Sequence, residues 1–371
     1  MSLSSGPAAA APVTQKREFW VLMGYAAALG VFGAFAGLVF IGVIKFGGKW
    51  YSDSHPGWFG GHWWWVAVAT AAGAAVGLLR RLTRLPWEIP GLFVNTLSGF
   101  AGAYGGLFSS TVIVVLLILE VARPGGQRFT KALAAGIVAS SVSFGIYFAI
   151  AGAVFLDDYQ VPRYKFEDWQ LLAGVPLGLF AALVVSLLAG FILVASRLFG
   201  RLKVPVIAKS TLGGVVFGIV GVALPLTMFS GSDQLKTVLE DAGTLGVGLI
   251  AVLVIAKMLT FAVSQGSGFV GGPIFPSLFI GGTAGVLVHQ VIPGVPLGLA
   301  FTCLLAAVPG GLAPAPFSMV LMAAFLTQVG ALQTAPILIA VITSYLTLEA
   351  VKYLLASRKQ ASTESKPPAP A

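Results

Sequence analysis

Apolar runs long enough to cross a bilayer follow one another from Phe19 to Tyr353, each ended by a short charged or Pro/Gly-rich break. In lipid the backbone has to satisfy its own polar groups, and runs of this length do so as helices. The expected fold class is therefore an all-α polytopic membrane protein. Hydrophobic residues make up 57% of the 371 residues and charged ones 9%, with a mean hydropathy of +0.93, which excludes an ordinary soluble domain. The net charge of +9 comes from Lys and Arg at helix ends rather than on one soluble face. That distribution fits membrane orientation and gives no nucleic-acid partner.

The first fifteen residues have neither a basic start nor a cleavable apolar core, so they read as a cytoplasmic lead and not a signal peptide. Trp63, Trp64 and Trp65 read as an interfacial belt, with His62 as an anchor beside them. Arg80, Arg81 and Arg84 close the second run, and Arg123, Arg128 and Lys131 follow the run from Thr96 to Leu119. Both clusters read as cytoplasmic, which one spanning helix cannot satisfy: either Thr96–Leu119 is re-entrant or a segment that usually precedes it is missing. Cys303 lies in an apolar run, excludes an internal disulfide and reads as a small hydrophobe. After Arg358 the chain is polar and Pro-rich.

Two features interrupt this regularity. AYGGLFSSTVIVVLLILE from Ala103 resembles VPGGLAPAPFSMVLMAAFL from Val308, a weak internal repeat of the kind found in transporters built from inverted halves. Residues 266–282 read GSGFVGGPIFPSLFIGG, with six glycines and two prolines inside a membrane-length segment. Non-helical backbone survives at that depth only where it is buried in protein or lines an aqueous cavity. Gly266–Pro276 is thus expected to line a site, with a helix resuming over Ser277–Val288 and Pro276 in its first turn. Its first amides and its dipole favour an anion without placing a fixed charge there. Tight helix packing is the competing reading of the glycines.

GSGFVGGPIFPSLFIGGTAG resembles the second-half anion motif of the CLC family of chloride channels and proton-coupled antiporters, GSGxxGG followed by GxFxP. IAKMLTFAVSQ, GVALPLTMFSGSDQL, FAGAYGGLFSSTVIVVLLILE and GGLAPAPFSMVLMAAFL resemble further family elements in order, from about Asn95 to Tyr353. The resemblance implies a CLC-like inverted-repeat bundle with broken and re-entrant helices. It places a disordered cytoplasmic N-terminus at 1–18, opening helices at 19–94, the CLC-like core at 95–356 and a disordered tail at 357–371. It also implies anion contact by the backbone amides of Ile274 and Phe275, loop glycines at Gly266, Gly268, Gly271 and Gly272, and a helix start at Pro276. A homodimer interface through Gly105, Gly106, Gly310 and Gly311 follows from the same resemblance.

The departures matter as much. The family's first-half GSGIP-type and GREGP-type elements, the second carrying its gating glutamate, have no match, so the first half reads as shortened by about four helices. Ile274 replaces the motif's Phe, and Pro273 removes one N–H. Glu120 matches an acidic residue of the family and reads as a cytoplasmic-side acid, but Val121 stands where antiporters carry a proton glutamate. Tyr345 and Tyr353 fall too early to match the pore tyrosine. The expected function is passive transport of chloride or a similar anion across the cell membrane, with both termini cytoplasmic and no cofactor or metal. A proton-coupled antiporter, a fluoride exporter and a non-conducting scaffold or incomplete homologue stay open. An intramembrane serine protease is rejected, because QGSG around Ser267 lacks the GxSG pattern and His289 lies too far along.

Overall fold

The computed structural model describes residues 17–54, 63–83, 101–106, 108, 110–121, 127–152, 159–269, 271–313 and 315–364. The chain divides into two compact units, Met1–Lys45 with Gly91–Phe155, and Phe46–Pro90 with Leu156–Ala371. The opening stretch 19–94 is therefore split between units.

Among the described residues, eight helices are long and apolar enough to cross a membrane. The first unit takes most of α1 (Arg17–Ser54), together with helical residues 101–106, α3 (Thr111–Val121) and α4 (Gln127–Ala151). The run Thr96–Leu119 is interrupted inside. Phe108 N–H donates to Tyr104 O at 2.9 Å, the two rings stack, and Ser110 Oγ accepts from Ile113 N–H at 3.4 Å to cap α3.

The second unit holds α2 (Trp64–Thr83), α5 (Trp169–Arg201), α6 (Val206–Ala223), a short turn at Pro225–Thr227, α7 (Ser232–Glu240), α8 (Val247–Ser267), α9 (Ile274–Val291), α10 (Leu297–Leu312), α11 (Pro316–Thr327) and α12 (Thr334–Glu364). Its core sits on α8, α9 and α10. α10 is too short to span alone and is buried from Gly298 to Gly311, packed among α5, α9, α11 and α12. A helix apolar all round belongs in such a position. Gly281 and Gly285 let α9 close on it: a Cβ at Gly285 would lie 2.5 Å from Phe301 Cα.

Several boundaries differ from those read in the sequence. α1 begins at Arg17, inside the expected lead, while residues 1–16 lie outside the described residues. α12 runs to Glu364, so residues 357–364 of the expected disordered tail are helical. Ala356, Arg358, Lys359 and Gln360 are strong helix formers, and a helix already nucleated in the apolar run extends through them. The last seven residues lie outside the described ones.

Candidate functional site

The interruption between α8 and α9 is shorter than Gly266–Pro276. Gly266 is still helical, packed against Ala195. Gly268 takes the left-handed conformation at φ 97°, where a side chain is strained. Phe269 N–H then reaches Ser264 O at 3.0 Å and Gly268 N–H reaches Gln265 O at 3.4 Å, the paired bonds of a Schellman terminus. Two carbonyls freed at this end find donors on other helices. Arg80 Nη1 of α2 donates to Gly268 O at 2.6 Å, and Ser210 Oγ of α6 donates to Ser267 O at 3.1 Å. A guanidinium at a helix C-terminus also meets the negative end of its dipole.

α9 starts at Ile274, with Pro273 in the N-cap position, two residues before the expected start at Pro276. Pro276 instead occupies the third helical position, where a missing N–H costs nothing because first-turn amides have no acceptor within their helix. The first intrahelical bond runs from Ser277 N–H to Pro273 O at 3.1 Å. Ile274 and Phe275 precede it and are half-buried.

A cavity of about 140 Å³ opens beside this junction, with Phe217, Phe229, Lys257, Thr260, Ser264, Gln265, Gly271, Gly272 and Pro276 in its wall. Ile274 and Phe275 do not belong to that wall. Gly271 and Gly272 have nothing within 4 Å of where a Cβ would sit, so both face open space.

Lys257 dominates the wall chemically. It is 2% exposed, and its Nζ donates to the carbonyls of Thr227 at 2.8 Å, Met228 at 3.4 Å and Phe229 at 2.9 Å, while lying 5.1 Å from the centre of the Phe279 ring. Burying an ammonium is costly unless its donors are matched, and here three acceptors match them. The acceptors belong to the turn after α6, which includes Phe229 at φ 52°. A bulky residue there costs of order 1–3 kcal/mol. The Phe229 ring stands edge-on to Trp65 with centroids 5.3 Å apart.

Other sequence candidates fall elsewhere. Glu120 is the penultimate residue of α3, half-buried in the first unit. The four glycines expected at a dimer interface are buried within their own units. A Cβ at Gly105 would lie 2.7 Å from Ser140 Cα, at Gly106 2.9 Å from Tyr147, at Gly310 2.8 Å from Val341 and at Gly311 2.6 Å from Ser344 Oγ. Their small size serves packing inside the chain. Ser267 ends α8, donating from Oγ to Ser264 O at 3.3 Å, while His289 lies in a different helix, α9, with Nδ1 2.7 Å from Val295 O.

Sequence reading overlooked Lys257, Phe229 and the role of Arg80. Lys257 had a signal: a lone charge ten residues into an apolar span. Arg80 looked like a topology marker, and nothing in the sequence distinguishes Phe229.

The profile of the family described as Voltage gated chloride channel matches residues 93–349, which include the whole α8–α9 junction. The chain belongs to this family. Relatives include the protein YfeO of Salmonella newport and of Salmonella typhimurium, each 29% identical over 252 residues. Those alignments cover 64% of this chain and 56% of each relative, so the chain spans about half the length of the curated relatives it matches. Among solved structures, a CLC-type fluoride/proton antiporter aligns with a TM-score of 0.69 at 16% identity, over 89% of this chain and 95% of that one. A slow cyanobacterial Cl⁻/H⁺ antiporter aligns with a TM-score of 0.70 at 15% identity, over 92% and 98%. Both establish the fold: the protein is an all-α, multi-pass CLC bundle. The family is one of membrane transport proteins, not of enzymes.

Proposed function

We propose that this chain carries chloride or a similar anion passively across the cell membrane, along the cavity beside the α8–α9 junction. The observation that carries the reading is the wall of that cavity, which joins a buried lysine to open glycine backbone at the head of a helix and holds no carboxylate among the described residues. Such a wall offers an anion open backbone beside a buried lysine and holds no carboxylate to exchange a proton as the anion passes. The amides of Ile274 and Phe275 belong to the same helix start and remain the proposed backbone donors, reached from the cavity past Gly271 and Gly272.

The acidic residues nearest the described helices support the passive reading. Glu349 lies in the middle of α12. Its carboxylate is exposed and paired with Lys352 at 2.7 Å, outside the cavity wall. Both termini are proposed to be cytoplasmic, from Arg17 before the apolar part of α1 and from Lys352 and Arg358 in the last part of α12. A homodimer is proposed to use the outer side of α11, where Phe317 is exposed and Leu321, Ala324 and Phe325 are half-buried.

Gly272→Leu tests the site. Its side chain has room to enter the cavity without displacing protein, so the thermal midpoint in detergent should hold while chloride efflux from liposomes falls at least about tenfold, as a blocked pathway requires. Efflux equal to the parent's places the pathway elsewhere. Parent liposomes no leakier than empty ones favour a non-conducting scaffold.

A further inference from the structure

Resting on the transport reading above, we propose that the Phe229 ring controls entry to the α8–α9 cavity and that Lys257 is the positioning residue that holds the ring in place. The ring is part of the cavity wall and the residue is 53% exposed, so it stands where the cavity meets open space. Its backbone is in the left-handed region at φ 52°, a conformation that a bulky L-residue leaves unless its surroundings enforce it.

Lys257 supplies the enforcing contact. Lys257 Nζ donates to Phe229 O at 2.9 Å and to Thr227 O at 2.8 Å, clamping the turn on both sides of Met228. The lysine cannot follow the turn if the turn moves, because its stem is fixed in α8 and its ammonium sits against Phe279, which is fully buried. Met228 is buried in the cluster with Trp65 and Ala69, leaving Phe229 as the exposed end of a short anchored lever. Gly231, two residues on, is also left-handed at φ 96° and packs against Phe279, so the far side of Phe229 is anchored at the start of α7.

This arrangement gives Lys257 a function different from direct anion attraction, since its donors are directed at carbonyls. Loss of the lysine frees the turn, Phe229 relaxes toward negative φ and the ring leaves the mouth. Charge attraction predicts the opposite effect on anions, so the two roles separate in one experiment.

The experiment places a reporter thiol at Ser264→Cys in the cavity wall, in the full-length protein in detergent; the native Cys303 is fully buried. Modification is followed with a neutral reagent, methyl methanethiosulfonate, and with its anionic sulfonatoethyl analogue. In the Lys257→Gln background both reagents should react at least about tenfold faster, because the rate follows the population of the open arrangement. Phe229→Ala alone should give the same acceleration, and Lys257→Gln added to it should give no further increase for the neutral reagent. Slower reaction with the anionic reagent and an unchanged rate with the neutral one overturns the proposal, since Lys257 would then act by charge alone. If Lys257→Gln does not fold, Phe229→Gly should restore folding by removing the strain; no restoration also overturns it. The thiol readout is independent of flux. Absent chloride efflux with accelerated labelling removes the transport reading and leaves the latch standing.

Discussion

Arg80 and Gly268 lie 188 positions apart, yet the guanidinium of one donates to the carbonyl of the other at 2.6 Å and ties α2 to the end of α8. The junction that carries the proposed site is thus held from outside its own motif. Replacing Arg80 with Met leaves a carbonyl at a buried helix end without its charged donor. A hydrogen bond to a charged group contributes about 1.5–3 kcal/mol, so the thermal midpoint in detergent should drop by several degrees. Arg80→Lys should recover only part of it, because a lysine presents a point charge rather than a planar fork. An unchanged midpoint in Arg80→Met contradicts the anchoring role.

The glycines of GSGFVGGPIFPSLFIGGTAG divide into two kinds, and alanine substitution separates them. Gly285→Ala pushes a methyl to 2.5 Å from Phe301 Cα between α9 and α10 and should destabilise by about 1–3 kcal/mol. Gly271→Ala meets nothing within 4 Å, so its stability should stay within about 0.5 kcal/mol of the parent. Equal losses at both positions, measured by denaturation in mixed micelles, contradict the division.

How much of this was legible in the sequence follows from what each residue's neighbours add. The break at Gly268–Pro273 was legible because glycine and proline act locally, one by tolerating positive φ and the other by removing an N–H. Its length was overestimated because Gly266 carries no mark of being helical; only contact with Ala195 on α5 shows why a glycine sits there. The repeated Gly-Gly-Leu was legible too, and each unit does leave the helix beside it, at 108 and 110 and at 313 and 315. What the glycines touch was not legible, since small residues serve equally inside a chain and between chains. Lys257 was visible as an anomaly, but its three acceptors come from a turn about thirty residues earlier, and only the fold brings them together.

Burial of the four glycines changes what a dimer test should look like. Gly311→Leu forces a side chain into Ser344 and Leu348, so it should lower the yield of folded protein rather than split subunits. Phe317→Arg alters a half-exposed position on α11 and should leave the thermal midpoint within a few degrees. If α11 carries the proposed interface, light scattering in detergent should show Phe317→Arg as monomer beside a dimeric parent. A Phe317→Arg dimer removes this face, and a folded, monomeric Gly311→Leu restores the glycine interface.

The central claim is that anion movement through this chain is passive, because the cavity wall contains a buried lysine and open backbone but no carboxylate among the described residues. The direct measurement is proton movement during chloride flux in liposomes, recorded with an external pH electrode under an imposed chloride gradient. Beside empty liposomes, the account predicts chloride efflux once a potassium ionophore collapses the membrane potential, with no proton movement against its own gradient and no dependence on added protonophore. Chloride-driven uphill proton transport, abolished by neutralising a single Glu or Asp, contradicts it.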